Sequence, residues 1–382
     1  MNDRYGQQVS RRSFLQGASA TLAATSLTSI TPAEAQVPAI KLPAPAAKQV
    51  GFALVGLGNL AINQLMPAFA RCRYAKLVGF VSGRPDKAKQ LAQMYGVDAK
   101  NIYNYDNYDR LAENPAVDVI YVVLPNSMHP EYTIRGLKAG KHVLCEKPMA
   151  NTPQECEQMI AAAKAANRKL MVGYRVRYEP HNQALIAYAR ETADAGPTRF
   201  ILADAGFNIG DPTQWRLRKQ MAGGGSLMDI GIYALNAARY LTGEEPVSVN
   251  AMLHSTPNDP RFVEVEETVT FQLRFPSGIL ANCTSSYGGN VNRFRVVKQR
   301  GAAELDPASS YTGLRLRVFR GGAIEERVLP QRDHFTLEMD HFSECILNNT
   351  EPLTPGEEGL KDMKAIMAIY EAARTGRTVT LA

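Results

Sequence analysis

Residues 50–61 read Val50-Gly51-Phe52-Ala53-Leu54-Val55-Gly56-Leu57-Gly58-Asn59-Leu60-Ala61, and an apolar-periodic segment follows to Phe69. The run from Val50 to Gly56 is apolar throughout, as in a strand buried on both faces. It enters G-x-G-x-x-A directly. Gly56 permits the tight turn, Gly58 lets backbone approach a pyrophosphate, and Ala61 lets the helix pack close to the strand. Leu57, Asn59 and Leu60 complete the loop, and the helix start offers free N–H groups to phosphates. The motif is weak in isolation; between a strand and a helix it predicts dinucleotide binding rather than a bare packing turn.

Downstream the strand–turn–helix pattern repeats. The strand at 76–81 ends in Ser82-Gly83-Arg84-Pro85-Asp86-Lys87. An NAD site usually has a carboxylate at this strand end for the ribose 2′-hydroxyl. A hydroxyl at Ser82 with cations at Arg84 and Lys87 suits a 2′-phosphate instead. The expected cofactor is therefore NADP; the alternative is a basic helix start on a solvated face. Strands at 117–124, 141–145 and 170–174 follow, with a helix at 152–168 capped by Thr152. Ligands of open parallel sheets lie beyond the carboxyl ends of the strands. Leu124, Pro125, Asn126, Glu146, Lys147 and Arg175 fall there. His129 opens a helix, where it is structural or cofactor-adjacent rather than a general base.

Beyond about Tyr174 the alternation stops. A helix at 225–242 opens on Gly223-Gly224-Gly225, and strand-like segments follow at 247–253, 263–275, 279–286, 293–299, 314–319 and 325–329. Successive strands without helices between them imply an antiparallel sheet. Segments 335–348 and 356–374 read as closing helices. The predicted fold is thus an α/β N-terminal Rossmann dinucleotide-binding domain over 49–174. A C-terminal α/β domain over 175–382 follows, built on an open, mainly antiparallel β-sheet.

Composition narrows the class. Hydrophobic residues make up 45% of the 382 and charged residues 21%, a globular balance that excludes a disordered or fibrous chain. The net charge of +6 is spread among both signs, so no basic patch points to nucleic acid. Cysteines at 72, 145, 156, 283 and 345 have no zinc-ligand spacing, and no metal is expected. Cys145, in an apolar strand, reads as an inert small hydrophobe. No apolar run is long enough to span a membrane.

The N-terminus reads as an address. Ser10-Arg11-Arg12-Ser13-Phe14-Leu15-Gln16 precedes a weakly apolar stretch from Gly17 to about Ile30 and then Ala33-Glu34-Ala35. These are the three parts of a secretory signal over 1–35, and the paired arginines suit the twin-arginine type. The expectation is export through the twin-arginine machinery to the periplasm, in the folded state and with cofactor inserted. Residues 36–48 hold three prolines and are extended. They read equally as a linker or as an arm lying across a neighbouring subunit.

Glu146-Lys147-Pro148 after a Rossmann strand, and Gly223-Gly224-Gly225-Ser226-Leu227-Met228-Asp229-Ile230-Gly231-Ile232-Tyr233 in the second half, resemble the superfamily of glucose–fructose oxidoreductase, inositol dehydrogenase and rhizopine-catabolism proteins. Most members carry His where this chain has Tyr233; the glucose–fructose branch carries Tyr. Leu124-Pro125-Asn126-Ser127, Trp215-Arg216-Leu217-Arg218 and Phe262-Val263-Glu264-Val265-Glu266 are similar to that branch too. Arg84-Pro85 and Arg177 depart from it.

Hydride transfer from a sugar carbinol needs a base for the hydroxyl proton and a positive group for the oxygen. Tyr233 and Lys147 can divide these roles, since a neighbouring ammonium helps a phenol act as base. Asp229, four residues before Tyr233, shares its helix face. The resemblance implies the same assignment: Lys147 and Tyr233 catalytic, Asp229 supporting. It also implies that Tyr105, Trp215 and Arg216 pack on or bind the cofactor, and that the chain assembles as a tetramer. The activity it implies is oxidation of an aldose, such as glucose to its lactone, coupled through retained NADP to reduction of a second sugar, such as fructose to sorbitol. A dehydrogenase with exchangeable NAD(P), an aldose–aldose oxidoreductase and a non-catalytic NADP sensor are the rivals.

Overall fold

A computed structural model describes residues 45–381. The leader at 1–35 and most of the proline-bearing segment lie outside them; at its described end, Ala46 N donates to Arg73 O at 2.9 Å.

The first half forms a six-stranded parallel sheet. Its strands are β1 Val50–Val55, β2 Ala75–Val81, β3 Ile102–Tyr103, β4 Val119–Val122, β5 His142–Glu146 and β6 Leu170–Gly173, in the order β3-β2-β1-β4-β5-β6. Every residue of β1, β4 and β6 is buried, as the apolar runs require when helices cover both faces. The helices are α1 Met66–Phe69, entered through a π-turn at Ala61–Leu65, α2 Pro85–Tyr95, α3 His129–Lys138 and α4 Pro153–Ala166. Thr152 caps α4 in a reciprocal box with Glu155, which satisfies two of the free amides of that end. The strand order reverses between β1 and β4, the place where such sheets bind dinucleotides.

The second half contains α5 Pro180–Arg190, β7 Thr198–Gly206, α6 Lys219–Ala222, α7 Ile232–Thr242, β8 Ser248–His254, β9 Thr268–Arg274, β10 Leu280–Ser286, β11 Val291–Lys298, β12 Gly301–Leu305, β13 Leu316–Arg320, β14 Ala323–Arg327, α8 His334–Leu347, α9 Gly356–Thr375 and β15 Val379–Thr380. Nine strands form one sheet in the order β14-β13-β12-β11-β7-β10-β9-β8-β15. All neighbours are antiparallel except β7 and β10. Ala203, Phe271, Cys283, Phe294 and Val296 share one core with Ala234, Leu235 and Ala238 of α7.

Two expectations are corrected. The strand expected at 263–275 begins only at Thr268. Phe262 and Val265 instead pack with Ile209, Leu217 and Tyr287, and the Glu266 carboxyl turns onto the backbone of the glycine run. The division at Tyr174 separates the two sheets but not the two cores. Phe335, Met339 and Phe342 of α8 pack with Phe52, Leu54, Val119 and Tyr121 of the first sheet. Each such burial contributes roughly 1.5–3 kcal/mol, so α8 belongs to the first core although it comes late in the chain.

Candidate active site

The loop at 56–61 has the geometry a pyrophosphate needs. Gly56 has φ +93°, and a Cβ there would lie 2.3 Å from Val123 O, so only glycine fits. A Cβ on Gly58 would meet nothing within 4 Å; the loop faces open space there. Leu57 and Ala61 are buried, while Asn59 is exposed and Leu60 half-buried. Lys87 Nζ donates to Leu57 O at 2.6 Å, tying the second strand-end turn to this loop. In that turn Ser82 Oγ accepts from Arg84 N at 3.1 Å. The Arg84 side chain is exposed and makes no ion pair among the described residues. Tyr105 lies on Gly83, its ring 3.2 Å from where a Cβ would stand. Ser82, Gly83, Arg84, Lys87 and Tyr105 thus gather beside the glycine loop, with cations available for a phosphate and room for the backbone to approach one.

The three residues expected to be catalytic are also brought together. Lys147, one residue beyond β5, donates from Nζ to Asp229 O at 2.5 Å and Oδ1 at 3.3 Å, and lies 4.9 Å from the Tyr233 ring centroid. Arg216 Nε is 3.1 Å from Asp229 Oδ2, and the Tyr287 hydroxyl donates to the same oxygen at 3.0 Å. Burial works to raise the Asp229 carboxyl, but Arg216, Lys147 and these hydrogen bonds pull it down to about 2. Burial opposes the Lys147 ammonium, yet Asp229, Tyr233 and Glu146 outweigh it and hold Lys147 above its ordinary value. The Tyr233 hydroxyl bonds no protein group among the described residues, so it is free for a ligand. Trp215 is half-buried, with the Arg216 guanidinium 4.6 Å from its ring.

The segment carrying Asp229 and Tyr233 is held from its start. Glu266 accepts from Gly225 N at 2.8 Å, Leu227 N at 3.0 Å and the Tyr370 hydroxyl at 2.9 Å. Asp229 lies in a π-turn at Leu227–Gly231 that leads into α7. Deeper in α7, Arg239 is buried against Asp362 and reaches Glu245 at 2.6 Å and Glu358 at 3.1 Å, fixing the helix to α9.

Four side chains expected at the cofactor have protein partners instead. Both His129 ring nitrogens face carbonyls, Pro148 O and Leu124 O, each at 2.9 Å. His129 is a clasp joining the ends of β4 and β5, not a cofactor donor. The Glu146 carboxyl accepts from the Tyr121 hydroxyl at 2.7 Å inside the first core. Arg175 is buried, donating to His334 Nδ1 at 2.9 Å and Ser309 O at 2.5 Å, with its guanidinium 5.2 Å from the Tyr233 ring centroid. It packs against the phenol ring. Asn126, also buried, donates to Ala222 O at 2.9 Å and links the end of β4, after Leu124 and Pro125, to α6. Sequence reasoning missed Tyr287 and His334, and quoted Glu266 only within a resembling stretch, with no role. Tyr287 carried a signal, as an aromatic between a strand and Gly288-Gly289.

Beside Arg175 opens a cleft of about 460 Å³ lined by Phe207, Ile230, Asn292, Ser309, Ser310 and Tyr311 among others. Amide, hydroxyl and aromatic groups side by side suit a polyol with one polar edge and one apolar face. No group of three His, Cys, Asp or Glu among the described residues is placed to hold a metal.

Fold and site together define an oxidoreductase of the dinucleotide-binding class. Residues 50–174 match the "Oxidoreductase family, NAD-binding Rossmann fold" and residues 191–304 the "GFO/IDH/MocA C-terminal domain". The chain belongs to the GFO/IDH/MocA family. An aldose-aldose oxidoreductase from Caulobacter crescentus, crystallised with glycerol, is 52% identical with a TM-score of 0.85, over 87% of this chain and 100% of that one. A D-xylose 1-dehydrogenase [NADP(+)] of Haloarcula marismortui is 32% identical over 87% of this chain and 93% of its own. A 3-ketoreductase from Actinomadura kijaniata with NADP bound, 23% identical over 85% of this chain and 98% of that one, shares the fold with a TM-score of 0.76.

Proposed function

We propose that the chain is an NADP-holding sugar oxidoreductase that oxidises an aldose at C1 and passes the hydride to a second sugar at the same site. The observation that carries this is the convergence of Lys147, Asp229, Arg216 and Tyr287 on one point beside the free Tyr233 hydroxyl. The site borders a polar cleft and stands at the sheet edge that presents the glycine loop. A bound nicotinamide would supply the hydride acceptor of the first half-reaction and the hydride donor of the second. Gly56–Ala61 would hold its pyrophosphate, and Ser82, Arg84 and Lys87 its 2′-phosphate. Tyr233 receives the sugar hydroxyl proton as the C1 oxygen becomes a carbonyl, and gives it back in the second half-reaction. The Lys147 ammonium, fixed by Asp229, holds the oxygen while it is alkoxide-like.

Glucose paired with fructose remains one form of this reading; a second aldose as acceptor is the other. The 52% identical aldose-aldose relative favours the aldose. We further propose twin-arginine export to the periplasm, on residues 10–35, since a retained cofactor suits a compartment poor in free NADP. Tetramer assembly is proposed on the exposed Phe200, Met252 and Leu280 of the nine-stranded sheet. The test uses purified protein with no added cofactor, mixed with glucose alone and with glucose plus fructose. Lactone and alditol in equal amounts support the reading; glucose and fructose both reduce to sorbitol, so sorbitol from glucose alone marks an aldose acceptor, and sorbitol formed only with fructose present marks fructose. Protein that carries no nucleotide and turns over only with NADP supplied in bulk overturns it in favour of a dehydrogenase.

A further inference from the structure

Behind Lys147, in the first core, the Tyr121 hydroxyl ends between two carboxyl groups. It lies 2.7 Å from Glu146 Oε1 and 3.2 Å from Glu338 Oε2. Tyr121 and Glu338 are wholly buried and Glu146 nearly so. They come from β4, β5 and α8, so the cluster forms only when α8 closes on the parallel sheet.

A phenol has one proton to give. Given to Glu146, the nearer acceptor, it leaves the Glu338 oxygen facing the lone pairs of the phenol. An ionised carboxylate makes that contact only against repulsion, whereas a protonated one donates into it. The second Glu338 oxygen, Oε1, has no hydrogen-bond partner, and an ionised carboxylate buried without donors is costly by several kcal/mol. The nearby cations are spent elsewhere: Arg175 on His334 and Ser309 O, Lys147 on Asp229. His334 and Asp333 on or beside α8, Tyr178 after β6 and Arg175 are the other titratable or charged groups around Glu338, and none donates to it among the described residues. Burial pushes both carboxyls up, and the Glu146 charge pushes Glu338 further.

We propose that Glu146 and Glu338 share one proton through the Tyr121 hydroxyl at neutral pH, in addition to the phenol's own, and that Glu338 is thereby a positioning residue for Lys147. The second part rests on the catalytic reading of Lys147. Glu146 is its chain neighbour. With both carboxyls ionised, two negative charges behind the lysine would compete with Asp229 for its ammonium. With one proton shared, a single charge remains and the ammonium stays on Asp229, facing the site. Two carboxyls that share one proton because they lie too close to ionise together is a known way of fixing charge in a dry site.

The direct test is infrared spectroscopy of the folded protein in D2O across pH. The difference between wild type and Glu338→Gln isolates this cluster from other buried carboxyls. Wild type is expected to show a protonated-carboxyl band at neutral pH that is missing from Glu338→Gln, whose amide can donate to the phenol as the acid does. That variant is expected to keep turnover within about twofold of wild type and to extend its plateau to higher pH, because an amide has no proton to lose. Tyr121→Phe, which cuts the link, is expected to lower kcat several-fold at little change in KM. Absence of the band in wild type, readable even if no variant folds, overturns the shared proton. A band with identical alkaline limbs in wild type and Glu338→Gln overturns the positioning role. The infrared result stands whatever sugars are turned over, so failure of the proposed function is distinguishable from failure here.

Discussion

At the scale of single residues, function concentrates where a charge has several partners. Asp229 carries three, Lys147, Arg216 and Tyr287, and removing any one leaves a buried charge less compensated. Lys147→Met is expected to lower kcat by about 10²–10⁴ while the protein still folds, since the role proposed for the ammonium is to hold the developing alkoxide. Tyr233→Phe is expected to do the same with little change in KM. Single-turnover reduction of the bound cofactor by an aldose measures both, and a wild-type rate in either variant removes that residue from the chemistry. Arg84 is a separate matter. It is exposed and unpaired among the described residues, so it is available to a 2′-phosphate at about 1.5–3 kcal/mol for a charge-assisted contact. Arg84→Ala is expected to emerge from expression with the share of bound NADP over NAD reduced about 10–100-fold. Chromatography of nucleotide released by denaturation reads this, and an unchanged ratio would place the 2′-phosphate elsewhere. Lys147, Tyr233 and the glycine loop stood out in the sequence because chemistry-bearing residue types sat in recognisable local patterns, and the fold brings Lys147 beside Tyr233. His129 and Arg175 misled, because a strand-end position does not say whether a side chain faces ligand or carbonyl.

At the scale of elements, the glycine run shows how sequence becomes position. A Cβ on Gly225 would lie 2.1 Å from the Glu266 backbone oxygen, and backbone cannot move aside as a flexible side chain can. Gly225→Ala must therefore shift the segment bearing Asp229 and Tyr233. The expected cost is about 1–3 kcal/mol of stability and a larger loss in kcat, since small misplacements of reacting groups are expensive. Calorimetry and turnover on the same sample check it; a variant with lowered melting temperature and wild-type kcat would show that the run serves folding alone. The first-half strands were legible because a parallel strand buried on both faces is written as a continuous apolar run. In the second sheet the central strand β7 escaped. Only every other residue of its later half is buried, and its partners β10 and β11 lie far along the chain. Glu266 escaped for a related reason. It sits at the end of an apolar-polar alternation that looks like strand, and only the fold shows its carboxyl capping a helix-bearing turn.

At the scale of the whole molecule, the two sheets meet through buried polar pairs that no local pattern announces. His334 on α8 belongs to the first core, and Arg175 leads out of the parallel sheet toward the cleft. Their contact at 2.9 Å has the guanidinium donating, so His334 Nδ1 must be unprotonated. Protonation would lose this hydrogen bond and set two cations against each other. Burial first, then Arg175 and His181, depress His334 to about 3 from an ordinary 6.5. The unfolded chain takes up this proton below about 6.5, and the folded chain does so only near 3. The stability contribution is therefore complete above pH 6.5 and is lost as pH falls through that window, at up to about 1.4 kcal/mol per pH unit for one proton. Burial depresses His129, His142 and His341 as well, so the acid limb has several contributors. His334→Gln keeps an acceptor for Arg175 and removes one titration. Its melting temperature is expected to fall less steeply than that of wild type between pH 6.5 and 4, with the two curves parallel above pH 7. Parallel curves throughout the acid range would mean that His334 titrates in the fold as it does in the unfolded chain, and that its contact with Arg175 does not hold it neutral.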